Sequence, residues 1–310
     1  MNREEQQAIL TISLMAAFAD GRKEELERAE LKRITESLSG ADLNAAALYQ
    51  DVLLKRLTLD DVARVITAPE VRQYAYEMAV CVCDADGAHS PAEKTFLDRL
   101  RVALGLDAVR SETFAAEAAQ VASVPLEADS ALEPAPATTP AQAEMDPMIL
   151  NYAVLNGALE LLPQNLASMA IIPLQMKMVY RIGKVHGYEL DRGHIKDFLA
   201  TLGVGLTSQY LEQFGRKLIG GLLGKIAGGI GRGIGGAATG SAFSFATTYA
   251  LGQVAKRYYA GGRTLSGETL KETFSAMLGE AKSLQSRYLP QIEEKARTLD
   301  VNQVLQAARQ

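Results

Sequence analysis

Residues 119–146 contain no basic and no aromatic side chain. They are dominated by Ala, Pro, Thr and Glu, as in Glu133-Pro134-Ala135-Pro136-Ala137-Thr138-Thr139-Pro140. Such a stretch buries too little apolar surface to offset the entropy of ordering it, and its prolines keep it extended. A chain of 310 residues interrupted in this way is expected to fold as two parts joined by a disordered Ala/Pro linker. The predicted organisation is a helical bundle over 1–118, the linker over 119–146, a glycine-rich helical domain over 147–265, and amphipathic helices over 266–310.

The two parts carry opposite charge. Residues 1–118 hold 14 Lys and Arg against 21 Asp and Glu, and 119–146 add five acids. Residues 147–310 reverse the balance, with 18 bases against 11 acids. Asymmetry of this kind points to an anionic partner for the basic half, or to two halves that each keep themselves soluble. The only cysteines, Cys81 and Cys83, are one residue apart and cannot staple a secreted fold. The first residues, Met1-Asn2-Arg3-Glu4-Glu5, are acidic where a signal peptide is basic, so the chain is expected to start in the cytoplasm.

The first part reads as all-α. Asn2 and Glu5 stand at capping-box spacing before an apolar run from Ala8 to Phe18, which Asp20-Gly21 ends. Leu26, Leu31, Ile34 and Leu38 mark a second helix, and Asp60-Asp61 open another with Val62, Val65 and Ile66 on its apolar side. Met78 to Cys83 is apolar and is broken by Asp86-Gly87. Ser90-Pro91-Ala92-Glu93 is a start signal: Ser90 caps, Pro91 suits the first helical position, and Glu93 closes the box. Ala19-Asp20-Gly21 recurs 66 residues later as Ala85-Asp86-Gly87, and the same offset carries Glu27 onto Glu93, Leu31 onto Leu97 and Ile34 onto Leu100. Two copies of helix, Ala-Asp-Gly, helix predict a pseudo-symmetric bundle.

Chemistry in this part rests on its acids. Asp84, Asp86, His89 and Glu93 gather four ligand types within ten residues, and Asp20, Glu24 and Glu27 make a poorer first copy. Such carboxylates suit a divalent cation such as calcium or magnesium, giving Asp20, Glu27, Asp84, Asp86 and Glu93 as candidate ligands. The spacing is not that of an EF-hand. The competing reading is structural, with Ser90 and Glu93 as a cap, Gly87 as a turn and the acids as helix-dipole partners. Cys81 and Cys83 lack the second thiol pair of a zinc site, and core packing is their expected role.

Nothing in the chain asks for an enzyme. Gly231-Arg232-Gly233-Ile234-Gly235-Gly236 matches a dinucleotide fingerprint in letters only, since no strand signal precedes it and no acid follows about twenty residues on. Gly224-Lys225 is followed by Ile226, so a phosphate-binding loop fails too. The three histidines form no arrangement of nucleophile and base. No nucleic acid partner is expected.

The glycine-rich stretch is the most informative feature of the second part. Gly220, Gly224 and Gly228 recur every four residues, as do Gly231 with Gly235 and Gly236 with Gly240. Each glycine costs a helix in water up to about 1 kcal/mol relative to alanine, whereas small residues at this spacing let helices in a membrane pack closely. Gly233 to Ala255 holds no charge and is just long enough to span, though its Ala, Gly, Ser and Thr make insertion marginal. Arg216, Lys217, Lys225 and Arg232 precede it, and Lys256, Arg257 and Arg263 follow, with Tyr249, Tyr258 and Tyr259 nearby. Basic flanks with tyrosines suit anionic lipid. Membrane contact rather than spanning is expected through Gly224, Gly228, Arg232, Gly235, Gly240, Phe243, Phe245, Tyr249, Lys256 and Arg257. The alternative is a soluble helical hairpin whose glycines permit close packing. Beyond Glu268 the stripe Phe274, Met277, Ala281, Leu284 and Tyr288 predicts an amphipathic helix that Pro290 breaks.

Two resemblances follow from these residues. Ala17-Phe18-Ala19-Asp20-Gly21 with Glu27, and Ala85-Asp86-Gly87 with Ser90-Pro91-Ala92-Glu93, resemble the TerB family linked to tellurite resistance, over about 5–108. That resemblance implies a compact acidic helical bundle acting as an adaptor or metal-sensing module near the membrane, with Asp20, Glu27, Asp86 and Glu93 at the family's acidic positions. Ile171-Ile172-Pro173-Leu174-Gln175-Met176-Lys177-Met178-Val179-Tyr180-Arg181-Ile182, His186-Gly187 and the stretch ending Thr247-Thr248-Tyr249-Ala250-Leu251-Gly252 are similar to YcjF-type inner-membrane proteins, over about 148–263. That similarity implies membrane association, and a GTPase as a protein partner in trans. The combined expectation is a non-enzymatic adaptor in tellurite, envelope or metal stress, held at the cytoplasmic face of the inner membrane by anionic lipid. The alternative is a soluble module that binds or senses a divalent cation.

Overall fold

The computed structural model describes residues 2–20, 31–32, 35–36, 44–86, 89–123, 126, 144–162, 165–204, 209–212, 215 and 238–300, without the side chains of 86, 165–166 and 238–242. Every regular element among these residues is helical, so the protein is all-α. The chain forms two compact units, Met1–Ser123 with Gly205–Gly236, and Val124–Val204 with Ala237–Gln310.

The first unit is built on α1 (Arg3–Ala17), which packs against α2 (Ala45–Leu53), α3 (Leu59–Val65) and α4 (Pro69–Cys83). A short 3-10 helix, Asp84–Asp86, leads from α4 towards α5 (Pro91–Ala103), and α6 (Ala108–Ala122) returns along α4. Local chemistry sets the starts. Asn2 Oδ1 accepts from the Glu5 N–H at 2.8 Å, while Glu5 Oε2 accepts from the Asn2 N–H at 3.0 Å. Ser90 and Glu93 form the same reciprocal pair, with Pro91 at the first position of α5. Each such cap is worth about 1 kcal/mol. Thr58, rather than Asp60 or Asp61, caps α3. Ile9, Leu10, Ile12, Leu14, Leu31, Met78 and Leu100 are fully buried. Leu31 and Leu97, equivalent across the repeat, both enter the core. α6 continues through Ala122 into the stretch read as linker, because Val121 and Ala122 are buried.

The second unit centres on two long antiparallel helices, α7 (Met145–Leu161) and α11 (Ala238–Ala260). Between them in sequence lie α8 (Asn165–Met169), α9 (Ile171–Val185) and α10 (Arg192–Thr201), and α12 (Gly267–Thr298) packs along both α7 and α11. The close pair depends on two glycines. A Cβ on Gly252 would lie 2.6 Å and 2.8 Å from carbons of Ile149, and one on Gly157 would lie 3.3 Å from Phe245 Cβ. α9 begins at Ile171, before Pro173, because a helix's first-turn N–H groups have no partner within the helix and proline there loses no bond. The expected break at Pro290 does not occur: α12 runs through it to Thr298. Ile292, beyond the proline, is fully buried with Ala153, Ala158 and Phe245, and this packing holds the last turns in place.

Candidate functional site

The corner where α4 gives way to α5 brings together the titratable groups of the first unit. Asp84 is the C-cap of α4, so its carboxylate stands at the negative end of that helix. Its side chain is 1% exposed and meets His89 Nε2 at 2.8 Å, while the imidazole is 11% exposed. Burial disfavours the charged imidazole, but contact with Asp84 and the nearby charge of Glu93 outweigh it, and the His89 pKa is raised. A buried carboxylate at a helix C-terminus favours a cationic partner, and the contact favours the charged form of His89.

The expected cation ligands are placed as follows. Glu93 is buried and accepts from the Ser90 N–H at 2.7 Å, which is its capping duty. Asp84 faces His89. Asp20 is half-buried in the turn after α1. Glu27 and the Asp86 side chain lie outside the described residues. Among the described residues, no group of three or more His, Cys, Asp or Glu is disposed to hold a metal ion.

Around this corner stands an aromatic and thiol cluster. Cys81 and Cys83 are both buried and form no disulfide, and helical residues two apart point to different sides. Tyr74 and Cys81 are seven residues apart and share one face of α4; Tyr76 and Cys83 share another. The Tyr76 phenol is raised to about 12 by burial, with Asp98 and Arg101 of α5 and Glu112 of α6 also acting on it. Tyr74 is raised by burial and then by Cys81 and Glu77, and its hydroxyl has no hydrogen-bond partner among the described residues. Burial raises the Tyr210 phenol well above the ordinary value, with Cys81 and Asp84 adding to the shift. Tyr210 is 1% exposed, and Leu211 has no exposed surface. The segment around Tyr210 thus belongs to the first unit, although the sequence reading places 147–265 in a domain of its own.

The expected membrane-contact residues fall into two groups. Gly224, Gly228, Arg232 and Gly235 lie outside the described residues, and Gly240 is in the first turn of α11. Phe243 is half-buried. Phe245 has no exposed surface and stacks on Tyr249 and Tyr288 at 6.3 Å and 5.9 Å. Lys256 binds Asp146 at 2.7 Å, which holds that carboxyl below its usual range, and Arg257 is exposed. Tyr258 stacks on Phe198 at 5.1 Å, and Tyr259 is buried against Tyr188 and Phe198, its phenol pushed up to about 12 by burial. Among the described residues, no helix is long and apolar enough to cross a membrane.

A buried polar layer in the second unit has no counterpart in the sequence reading. Asn156 Nδ2 and Gln175 Nε2 each donate to Thr248 Oγ1 at 3.0 Å, joining α7, α9 and α11. Glu160 Oε2 accepts from the Ser244 N–H at 2.8 Å. Glu160, the single charge in 147–176, was the one signal in the sequence of something polar in this core. Two amides donating to one hydroxyl tie the three helices together, although Asn156 Oδ1 and Gln175 Oε1 have no hydrogen-bond partner among the described residues.

No curated protein and no solved structure matches the chain. Residues 1–118 match the family model described as Protein of unknown function (DUF533), and that family is TerB-like.

Proposed function

We propose that this protein is a non-enzymatic adaptor that contacts the cytoplasmic face of the inner membrane peripherally and presents its TerB-like bundle to a protein partner. The observation that carries this reading is the charge split across residues 119–146: an acidic first part and a basic, glycine-rich second part. Without a spanning helix among the described residues, contact with anionic lipid would be electrostatic and superficial. The resemblance of 148–263 to YcjF-type inner-membrane proteins points the same way, and it is that resemblance which suggests a GTPase as partner. Tellurite, envelope or metal stress is the setting suggested by the TerB likeness. Binding of a divalent cation at the acidic turns is the lesser reading, since Asp84 and Glu93 already have His89 and Ser90 as partners.

Cell fractionation tests the proposal. The full chain should pellet with membranes and be released by a high-salt wash. Retention through carbonate would mean insertion, and a chain that never pellets would refute membrane contact.

A further inference from the structure

Four side chains of the second unit stand in two rungs between α7 and α11. Asn156 and Glu160 are one turn apart on α7, as Ser244 and Thr248 are on α11, so each pair shares a face of its helix. The helices run antiparallel, so Asn156 Nδ2 donates to Thr248 Oγ1 at 3.0 Å while the Ser244 N–H donates to Glu160 Oε2 at 2.8 Å. Gln175 of α9 closes the first rung, its Nε2 donating to the same Thr248 oxygen at 3.0 Å. All five residues are at most 1% exposed. Asn156 Nδ2 also faces the Ile171 carbonyl at 3.5 Å, so the nitrogen side of that amide is turned to acceptors and its oxygen is left over. Asn156 Oδ1, Gln175 Oε1 and Ser244 Oγ have no hydrogen-bond partner among the described residues. An amide oxygen lies about 2.3 Å from its nitrogen, so both amide oxygens stand within about 5.3 Å of Thr248 Oγ1. Amide oxygens accept and cannot donate. Buried acceptors without a donor lose their hydration and gain nothing in return, and three such oxygens in one layer call for a bound donor or cation.

We propose that this layer is a binding site for a dehydrated monovalent metal cation, sodium or potassium, with Asn156 Oδ1, Gln175 Oε1 and Ser244 Oγ among its ligands. The donor set selects the class. Amide and hydroxyl oxygens are hard, which suits alkali and alkaline-earth ions and not zinc or copper. A divalent ion draws on several carboxylates, and Glu160 is the single carboxylate in the layer among the described residues. Lys177, also buried, is two residues from Gln175 on α9 and so points to a different side. Bound here, the ion would join α7, α9 and α11 through one centre, and the stability of the second unit would follow the cations around it. The site is independent of membrane contact and of the acidic turns of the first unit.

Thermal unfolding of the full chain in sodium, potassium and choline chloride at equal ionic strength tests the site. Sodium or potassium should raise the midpoint saturably, by about 3–6 °C at roughly ten times the dissociation constant. Choline, too large for the layer, should give no rise. Gln175→Met and Ser244→Ala each remove one ligand and should raise the saturating concentration on the order of tenfold or more. Thr247→Val removes a neighbouring hydroxyl whose hydrogen bonds stay within α11, and should keep the response of the unaltered chain. Calorimetric titration of the unaltered, choline-exchanged chain reads the same binding without a variant: a saturating heat is expected, and its absence overturns the site. Equal midpoints in all three salts would mean that ordered water satisfies the oxygens, and overturn it too. A rise that persists unchanged in both ligand variants is a general salt effect and does the same. Saturation by magnesium or calcium, and not by sodium or potassium, overturns the monovalent assignment.

Discussion

Asp84 and His89 show how one pair of residues can make a fold sensitive to pH. Asp84 is held at the end of α4 with its side chain almost fully buried, and the imidazole is its 2.8 Å partner. Because contact with Asp84 raises the His89 pKa above 6.5, the charged imidazole favours the folded state. Its contribution is whole below about 6.5 and is lost as the pH rises through the raised value. The full chain should therefore unfold at a lower temperature at about pH 8.5 than at about pH 6. Asp84→Asn removes the charge the imidazole answers to, and its thermal profile should be flatter over that interval. Parallel profiles for the two chains would mean that the pair carries no linkage. The sequence showed Asp84, His89 and Glu93 as neighbours, and capping-box spacing explained Glu93 correctly. That Asp84 pairs with His89 was not legible, because it depends on the 3-10 turn that follows α4.

At the scale of elements, starts and stops governed by nearest neighbours were readable, and those governed by distant packing were not. Asn2 with Glu5, and Ser90 with Pro91 and Glu93, act within one turn and cap as their spacing indicates. Pro290 should have ended α12 by the same local logic, yet Ile292 packs with Phe245 and Ala153 from other helices and carries it on. The α7–α11 pair makes a sharper test. Gly252→Ala would ordinarily stabilise a helix by about 1 kcal/mol. Here its methyl would meet Ile149 at 2.6 Å and Met178 Sδ at 3.1 Å. Overpacking of this kind costs about 1–3 kcal/mol, so the net effect should be a loss of stability. Denaturant unfolding of Gly252→Ala should show it, and adding Ile149→Ala should recover part of it. A Gly252→Ala chain more stable than the parent would show that the helices are not closely packed at this point. The glycines of 220–236 were singled out by their spacing, but it is Gly157 and Gly252 that bring described helices together.

For the whole molecule, composition revealed two parts of opposite charge, and the two compact units do not follow that division along the chain. The linker at 119–146 suggested a clean boundary, with everything after it in the second part. The described residues 209–212 and 215 are nevertheless grouped with the first unit, and Tyr210 and Leu211 are buried. No local pattern announces that: Tyr210-Leu211 reads as any apolar pair, and Cys81 and Asp84, which act on the Tyr210 phenol, are more than a hundred residues away. The uncharged run from Gly233 to Ala255 suited lipid by composition, yet Phe245, Ala246, Thr248, Ala250 and Leu251 within it are buried among helices. On the proposed reading, lipid contact would fall to the cations on either side of that run. The most direct measurement is co-sedimentation of the purified full chain with phosphatidylglycerol-containing vesicles across a salt series. Binding that is strong at low salt, weak in high salt and absent on phosphatidylcholine is the predicted result. No binding to anionic vesicles at low salt would contradict the account.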